Sequence, residues 1–336
     1  MSTATLTAVT TTRLTIPGAG TLEFHRDRAT GALLGIEGGG RTYLRVDPDG
    51  TRTWPGVCRT REERTGDGMA RHVETATAAW TEHYRWREDR LVEVDGVEVR
   101  RDGDGRVIAC VPGGEDPAPG GHRWLYAHHG PGPIHITTPT GARQIATTPD
   151  GVVRSWREGG QTHPCTWSGA GARLPLPRPS ADHVDEAGRH WATLDPQGRL
   201  RHLYLWDGTR CLARIDGPVG APLAAVFSLD PSATPVRIVT PHGATRVPRD
   251  AYGEGLLAHD GVPGLFGGHV AGGVVHLPLR RLDPRTGTWC EPDPLDGGDD
   301  DPRRVGGYAG ELPVEKDPRS RYEVCRGDPI GRADPT

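Results

Sequence analysis

A chain of 336 residues is long enough for two ordinary domains or one large all-β domain, and 48 Gly and 31 Pro beside 35% hydrophobic residues exclude a helix-rich protein in favour of short strands and many turns. The 40 Lys and Arg against 44 Asp and Glu give a formal net charge of −4, with Lys316 the one lysine and no basic run clear of neighbouring acids, which argues against nucleic-acid binding. Met1 to Thr12 has neither a basic start nor a sustained apolar run, so no signal peptide and no membrane span are expected, and the protein reads as cytoplasmic or exported without a recognisable signal.

Residues 1–20 are Thr-rich and read as a loose lead-in ending at Pro17-Gly18, with a first strand near Leu22 to His25. Asp27-Arg-Ala-Thr-Gly31 and Asp47-Pro48-Asp-Gly50 read as turns about 20 residues apart, a period expected of a repeat built from two short strands. Between Thr60 and Ala79 the alternation blurs, and a short helix or a variable loop is expected. The clearest hairpin follows, where Val92 and Val94 alternate into Val97 and Val99 across Asp95-Gly96, with a further turn at Asp102 to Gly105.

After the Gly/Pro-rich run 112–121, alternation resumes at Trp124-Leu-Tyr126, Ile134-His-Ile136 and Ile145. Pro175, Pro177 and Pro179 remove donors that a central strand needs, so 173–182 reads as a linker or an edge. Asp185 to Arg189 and Asp195 to Leu200 then look like successive turns of one meander, followed by a strand at Leu203 to Asp207. The expected organisation is a lead-in at 1–20, a repeat region at 21–172, the linker or edge, and a second region at 183–336 continuous with the first. No long amphipathic helix pattern occurs, and the chain reads as all-β.

Chemistry is harder to place. Tyr84 and Trp86, Trp124 and Tyr126, and Tyr204 and Trp206 stand at i, i+2 spacing, so each pair shares one face of its strand; such faces build a core wall, or a surface for a small hydrophobic or sugar ligand. His122, His128, His129 and His135 form one histidine group, and His183, Asp185, Glu186 and His190 a second polar one, but neither has the spacing of a metal motif, and no metal is expected. Cys58, Cys110, Cys165, Cys211, Cys290 and Cys325 are widely spaced with no Cys-x-x-Cys pair, which suits free thiols better than a zinc module. There is no Gly-x-Ser-x-Gly elbow and no phosphate-binding glycine loop, so no cofactor is expected.

The most specific pattern is C-terminal. It runs Asp283-Pro284-Arg-Thr-Gly287-Thr-Trp289, then Asp293-Pro294-Leu295, Tyr308, Asp317-Pro318 and Tyr322, and closes on Asp328-Pro329-Ile-Gly331-Arg-Ala-Asp334-Pro335-Thr336. Each Asp-Pro pair can start a turn, the carboxylate accepting from backbone two residues on and the proline presetting φ. This order resembles the terminal core of Rhs (rearrangement hotspot) and YD-repeat proteins, best over 281–336, with YD-like units at 84–107 and 185–208.

The resemblance implies a curled antiparallel sheet of YD-type hairpins, a β shell or barrel-like form closed by the Rhs core, in a family whose large members wrap a toxin. It also implies a self-cleavage site at the closing aspartates, which makes Asp328, Asp334 and Asp293 the catalytic candidates; turn capping is the alternative that local chemistry offers. At about 16 Å² of sheet per strand residue, a shell of this length encloses room for a small ligand or short peptide rather than a toxin domain. Two functions follow: a non-enzymatic scaffold or binding module with a protein partner, as in a toxin-less member of a polymorphic toxin system, or a cyclase-like enzyme guiding protons in a pocket inside the sheet.

Overall fold

The computed structural model describes residues 8–88, 90–112, 123–128, 133–148, 152–167, 173–174, 189–277, 280–291 and 329–330. Among these residues the fold is all-β, its only helical turns being two short 3-10 segments, Glu254–Ala258 and Leu265–Gly267.

The first strands form a meander in which each pairs antiparallel with the next: β1 (Val9–Ile16), β2 (Gly20–Asp27), β3 (Leu33–Gly38), β4 (Arg41–Val46), β5 (Arg52–Trp54), β6 (Cys58–Thr65), β7 (Gly68–Glu74) and β8 (Ala79–Arg87). A second meander comprises β9 (Arg90–Val94), β10 (Val97–Arg101), β11 (Val107–Pro112), β12 (Trp124–His128), β13 (Pro133–Thr138), β14 (Gly141–Thr147), β15 (Val153–Glu158) and β16 (Gln161–Pro164). The short strands β17 (Thr166–Trp167) and β18 (Arg173–Leu174) pair with each other.

A six-stranded sheet follows, again in sequence order: β19 (Ala192–Leu194), β20 (Leu200–Asp207), β21 (Arg210–Ile215), β22 (Leu223–Leu229), β23 (Pro235–Thr240) and β24 (Gly243–Arg246). The last sheet holds β25 (His269–Ala271), β26 (Val274–His276), β27 (Arg281–Asp283) and β28 (Thr288–Trp289). The chain divides into two compact units, one of residues 1–86 with 179–247, the other of residues 87–178 with 248–336.

The turns explain why so many short strands form. In Asp27–Gly31, Asp47–Gly50, Asp102–Gly105 and Asp195–Gly198 the glycine N–H donates to the aspartate carbonyl, and every one of these glycines has positive φ. The aspartate carboxylates also hold the turns. Asp195 Oδ1 accepts from the N–H groups of Gln197 and Arg199, each at 2.9 Å, and Asp102 Oδ1 does the same with Asp104 and Arg106. Asp95 and Gly96 both have positive φ, 46° and 76°, as a two-residue hairpin turn of primed type requires. The turn at Asp230 works without glycine: Ala233 takes φ 61° and donates its N–H to the Asp230 carbonyl, while Asp230 Oδ1 accepts from Ser232 and Thr234.

Two stretches differ from expectation. Residues 60–79 form neither a helix nor a variable loop but the β6–β7 hairpin, paired from Arg59↔Glu74 to Thr65↔Gly68. Most of β6 is exposed, so its sequence of charged residues carries no apolar alternation to read. In the Thr-rich lead-in, Val9–Ile16 is a regular strand paired along its length with β2; its β-branched threonines suit an extended, solvent-facing edge.

In the first unit the core is drawn from both of its sheets, with Leu22, Ile36, Tyr43, Leu44 and Tyr84 from one and Leu203, Leu205, Ile215 and Leu229 from the other fully buried. Phe24 meets Trp191 edge-on at 6.0 Å. The Tyr43 hydroxyl donates to the Ala221 carbonyl at 3.1 Å and accepts from the Gly220 N–H at 2.6 Å. In the second unit Tyr126 packs edge-on against Tyr252 with ring centroids 5.3 Å apart, and its hydroxyl accepts from the Ala251 N–H at 2.9 Å.

Candidate functional site

The densest buried polar cluster among the described residues lies in the first unit, and strand register builds it. Glu62 on β6 stands opposite Arg71 on β7, and Arg71 stands opposite Glu82 on β8, so acid, base and acid form one cross-strand row. On β22 and β23 Ser228 stands opposite Arg237 in the same way. Arg71 Nη1 bridges the two sheets, donating to Ser228 Oγ and to the Leu229 carbonyl, each at 2.8 Å. Its two hydrogens are shared with two further acceptors, the Tyr84 hydroxyl at 2.9 Å and Glu82 Oε2 at 3.2 Å, while Nε and Nη2 engage Glu62 Oε1 at 2.9 and 2.7 Å.

Glu82 is the centre of the cluster and its side chain is 0% exposed. Its Oε2 accepts from the hydroxyls of Tyr84 and Ser228 and from Arg71; its Oε1 accepts from Trp80 Nε1 and Arg237 Nε, each at 3.2 Å. The hydroxyls of Tyr84 and Ser228 each accept from Arg71 and donate to Glu82, so each bridges base to acid. Burial drives the Tyr84 phenol well above its ordinary pKa despite Arg71. Burial likewise pushes the Cys58 thiol up to about 12, with the Glu82 charge adding to it. Glu62 is held below its ordinary value: burial would raise it, but Arg71, Arg210 and Arg52 together outweigh that.

Beside this row lies a cavity of about 30 Å³. Buried Val226, Phe227, Ser228 and Leu229 line it together with Arg71, half-exposed Arg52, Thr60 and Arg210, and exposed Glu62. A larger recess of about 110 Å³ in the same unit is walled by Pro55, Pro222 and Pro241 with Tyr43 and Leu223.

The second unit has a smaller counterpart. Arg143 on β14, with a side chain 3% exposed, donates to Glu158 at 3.0 Å, to Glu254 at 2.9 Å and to the Arg285 carbonyl at 2.7 Å, and its guanidinium lies 4.9 Å from the Trp156 ring centre. Burial raises the Glu254 carboxyl, and Arg143 offsets only part of that.

The residues singled out from sequence fall as follows. Tyr84 joins the polar cluster, while Trp86 at the end of the same strand is half-buried. Tyr204 and Trp206 are buried, Trp206 Nε1 donating to the His190 carbonyl at 2.9 Å and Tyr204 lying edge-on to His190 and His202. Trp124 and Tyr126 are buried in the second unit. His128 Nε2 meets the Val107 carbonyl at 2.8 Å, burial lowers that imidazole's pKa, and His135 is half-buried on β13. Asp293, Asp328 and Asp334 lie outside the described residues, as do His122, His129, His183, Asp185 and Glu186. Among the described residues no group of three or more His, Cys, Asp or Glu side chains could hold a metal ion, and Cys58, Cys110, Cys165, Cys211 and Cys290 are buried and in no disulfide.

Sequence reading missed Glu82, Arg71 and Ser228. A signal for Glu82 was present: Trp80, Glu82, Tyr84 and Trp86 share strand parity, which puts a carboxylate on the aromatic face.

No known family model matches the chain, and no curated protein does. Among solved structures it is similar to the Photorhabdus luminescens Tc holotoxin pore, at 11% identity and a TM-score of 0.30 over 96% of this chain and 18% of that one. It is similar to the TcdB2–TccC3 crystal structure at 12% identity and a TM-score of 0.34, over 97% of this chain and 18% of that chain. The same complex without its hypervariable C-terminal region gives 12% and 0.33, over 98% and 19%. The chain thus spans under one fifth of the chains it resembles.

Proposed function

We propose that this chain is a non-enzymatic β-sheet scaffold of the Rhs/YD-repeat kind, a binding module for a polypeptide partner in a polymorphic-toxin-like system. The observation that carries the reading is the saturation of Glu82. A carboxylate offers about four lone-pair sites, and Glu82 accepts from five donors, namely Arg71, Tyr84, Ser228, Trp80 and Arg237. An acid so occupied has no acceptor position left for a substrate proton, and the hydroxyls that touch it are themselves held at both ends. The adjoining cavity of about 30 Å³ has room for two or three non-hydrogen atoms, far short of a cyclisable substrate. The YD-like sequence units and the sheets of short hairpins support the family part of the reading.

The test is to co-express the full chain with the polypeptides encoded on either side of its gene and to measure mass by analytical ultracentrifugation. A stoichiometric complex that shields the partner from limited proteolysis at least tenfold is the expected result. Absence of any complex, or turnover of a small molecule that a folded Glu82→Gln variant loses, overturns it.

A further inference from the structure

The cavity beside Arg71 has an unbalanced charge that the scaffold does not use. Arg71 is satisfied by its neighbours, and Glu62 accepts from Arg71 Nε and Nη2. That leaves Arg52 and Arg210 on the cavity wall. Neither guanidinium has a hydrogen bond or ion pair to any described residue, and Arg210 Nε is buried with no acceptor at all. An orphaned buried N–H of a charged group is costly, and the usual resolution is a bound partner. Burial lowers the Arg210 pKa, with Arg71 and Arg52 acting the same way and only Glu62 and Asp207 opposing them. Guanidinium stays charged in proteins, and an anion would meet both that charge and the orphaned N–H.

We propose that this cavity is a binding site for a small monovalent anion, a carboxylate group or a halide, held by Arg210 and Arg52 with the Thr60 hydroxyl at the rim. Size selects the class. About 30 Å³ suits a halide or the three heavy atoms of a carboxylate better than a five-atom tetrahedral sulfate or phosphate. Charge selects the sign: Glu62 and Glu82 offset Arg71, and Asp207, the other acid that acts on Arg210, is paired with Arg26, which leaves Arg52 and Arg210 as the excess positive charge on the wall. The floor of the site comes from β22, next to Ser228 and Leu229, which already bridge to β7 through Arg71. An anion here would lock the two sheets of the unit together from the open side of that bridge.

The test uses the full chain dialysed into isethionate, whose sulfonate head exceeds the cavity. Chloride, formate and sulfate are then titrated at constant ionic strength and melting is followed. A saturable rise of about 2–4 °C with chloride or formate, absent with sulfate and lost in Arg210→Gln, is expected. Formate acting alone marks the occupant as a carboxylate, and chloride acting alone marks it as a halide. A bromide-soaked crystal should show anomalous density within hydrogen-bond distance of Arg210; that experiment and the milder rim variant Arg52→Gln decide the matter if Arg210→Gln does not fold. An equal response in wild type and Arg210→Gln, no response in wild type, or an empty or water-filled cavity after the bromide soak overturns the proposal.

Discussion

Arg71 Nη1 donates a 2.8 Å hydrogen bond to the Leu229 carbonyl, joining two strands whose residues stand 158 positions apart. Backbone carbonyls at the end of a strand normally find a partner in their own sheet. Here a side chain from the facing sheet supplies it, and the same nitrogen also reaches Ser228, Tyr84 and Glu82. The two sheets of the first unit are therefore tied by a buried ionic row as well as by apolar packing.

The stability of that row depends on Glu82. Glu82→Gln keeps the shape but removes the charge and turns half of the acceptor into a donor facing Arg71 or Arg237, leaving buried donors unmatched. Breaking one partner of a buried pair costs about 3–5 kcal/mol. Glu62→Gln touches the same arginine from a side chain 39% exposed and should cost under about 1 kcal/mol. Urea denaturation of both variants measures the difference, and equal midpoints would show that the row is not what holds the sheets.

The two halves of this site were unequally legible in the sequence. Turns and hairpins are local, so Asp27–Gly31, Asp95–Gly96, Asp102–Gly105, Asp195–Gly198 and Asp283–Gly287 could be read from five or fewer residues each, and all form. Glu82 could be read halfway, from its parity with Trp80 and Tyr84. Its partners Ser228 and Arg237 could not, because they lie 146 and 155 residues away and the match between two sheets is set by packing rather than by any local pattern. The β6–β7 hairpin was illegible for the opposite reason: its residues face water, so no apolar period marks it.

The turn at Gly287 gives a second prediction. Its φ is 66°, and a Cβ there would lie 2.8 Å from Tyr252 Cε2, against a ring that is 1% exposed and already packed on Tyr126. Gly18 has φ 72° with nothing within 4 Å of a Cβ. Gly18→Ala therefore meets only the backbone penalty, about 1–2 kcal/mol, whereas Gly287→Ala adds overpacking of about 1–3 kcal/mol. Gly287→Val should be worse again, since a β-branched residue tolerates positive φ poorly. Thermal melts should rank the variants in that order, and a Gly287→Ala melt matching Gly18→Ala would mean that the Tyr252 ring yields.

The thiols should be chemically silent in the folded state. Cys58, Cys110, Cys165, Cys211 and Cys290 are all buried, which shields them from reagent; burial also holds Cys58 at about 12 and Cys211 well above its ordinary value, so these two carry almost no thiolate at pH 8. In a Cys325→Ser background, a disulfide reagent at pH 8 should release less than one thiol per chain within minutes, and all five after guanidinium denaturation. Fast labelling of the native protein would place one of these cysteines in an accessible or opening segment.

Acid should loosen the hairpin turns. Asp27 and Asp195 are held below the ordinary 3.8 first by the N–H groups of Thr30 and Arg199; in Asp102 burial pushes the other way, but bonds from Arg106 and Asp104 outweigh it. A carboxyl with a depressed native pKa binds its proton more tightly when unfolded. Its stabilising effect is thus complete above about 3.8 and is lost as pH falls through the native value. Glu254, whose carboxyl is raised, runs in the opposite direction and gains relative stability as pH falls towards its unfolded value of 4.5. The melting temperature should therefore decline gently from pH 7 to 5, as the unfolded chain takes up protons that burial denies to native His128, His259 and His276, and drop more steeply below pH 4. Asn keeps the side-chain oxygen that caps the turn but cannot titrate. The double variant Asp102→Asn, Asp195→Asn should accordingly start slightly lower at pH 7, through loss of the ion pairs to Arg106 and Arg199, and fall less steeply below pH 4. An acid limb as steep as that of the wild type would show that the protons responsible bind elsewhere in the chain.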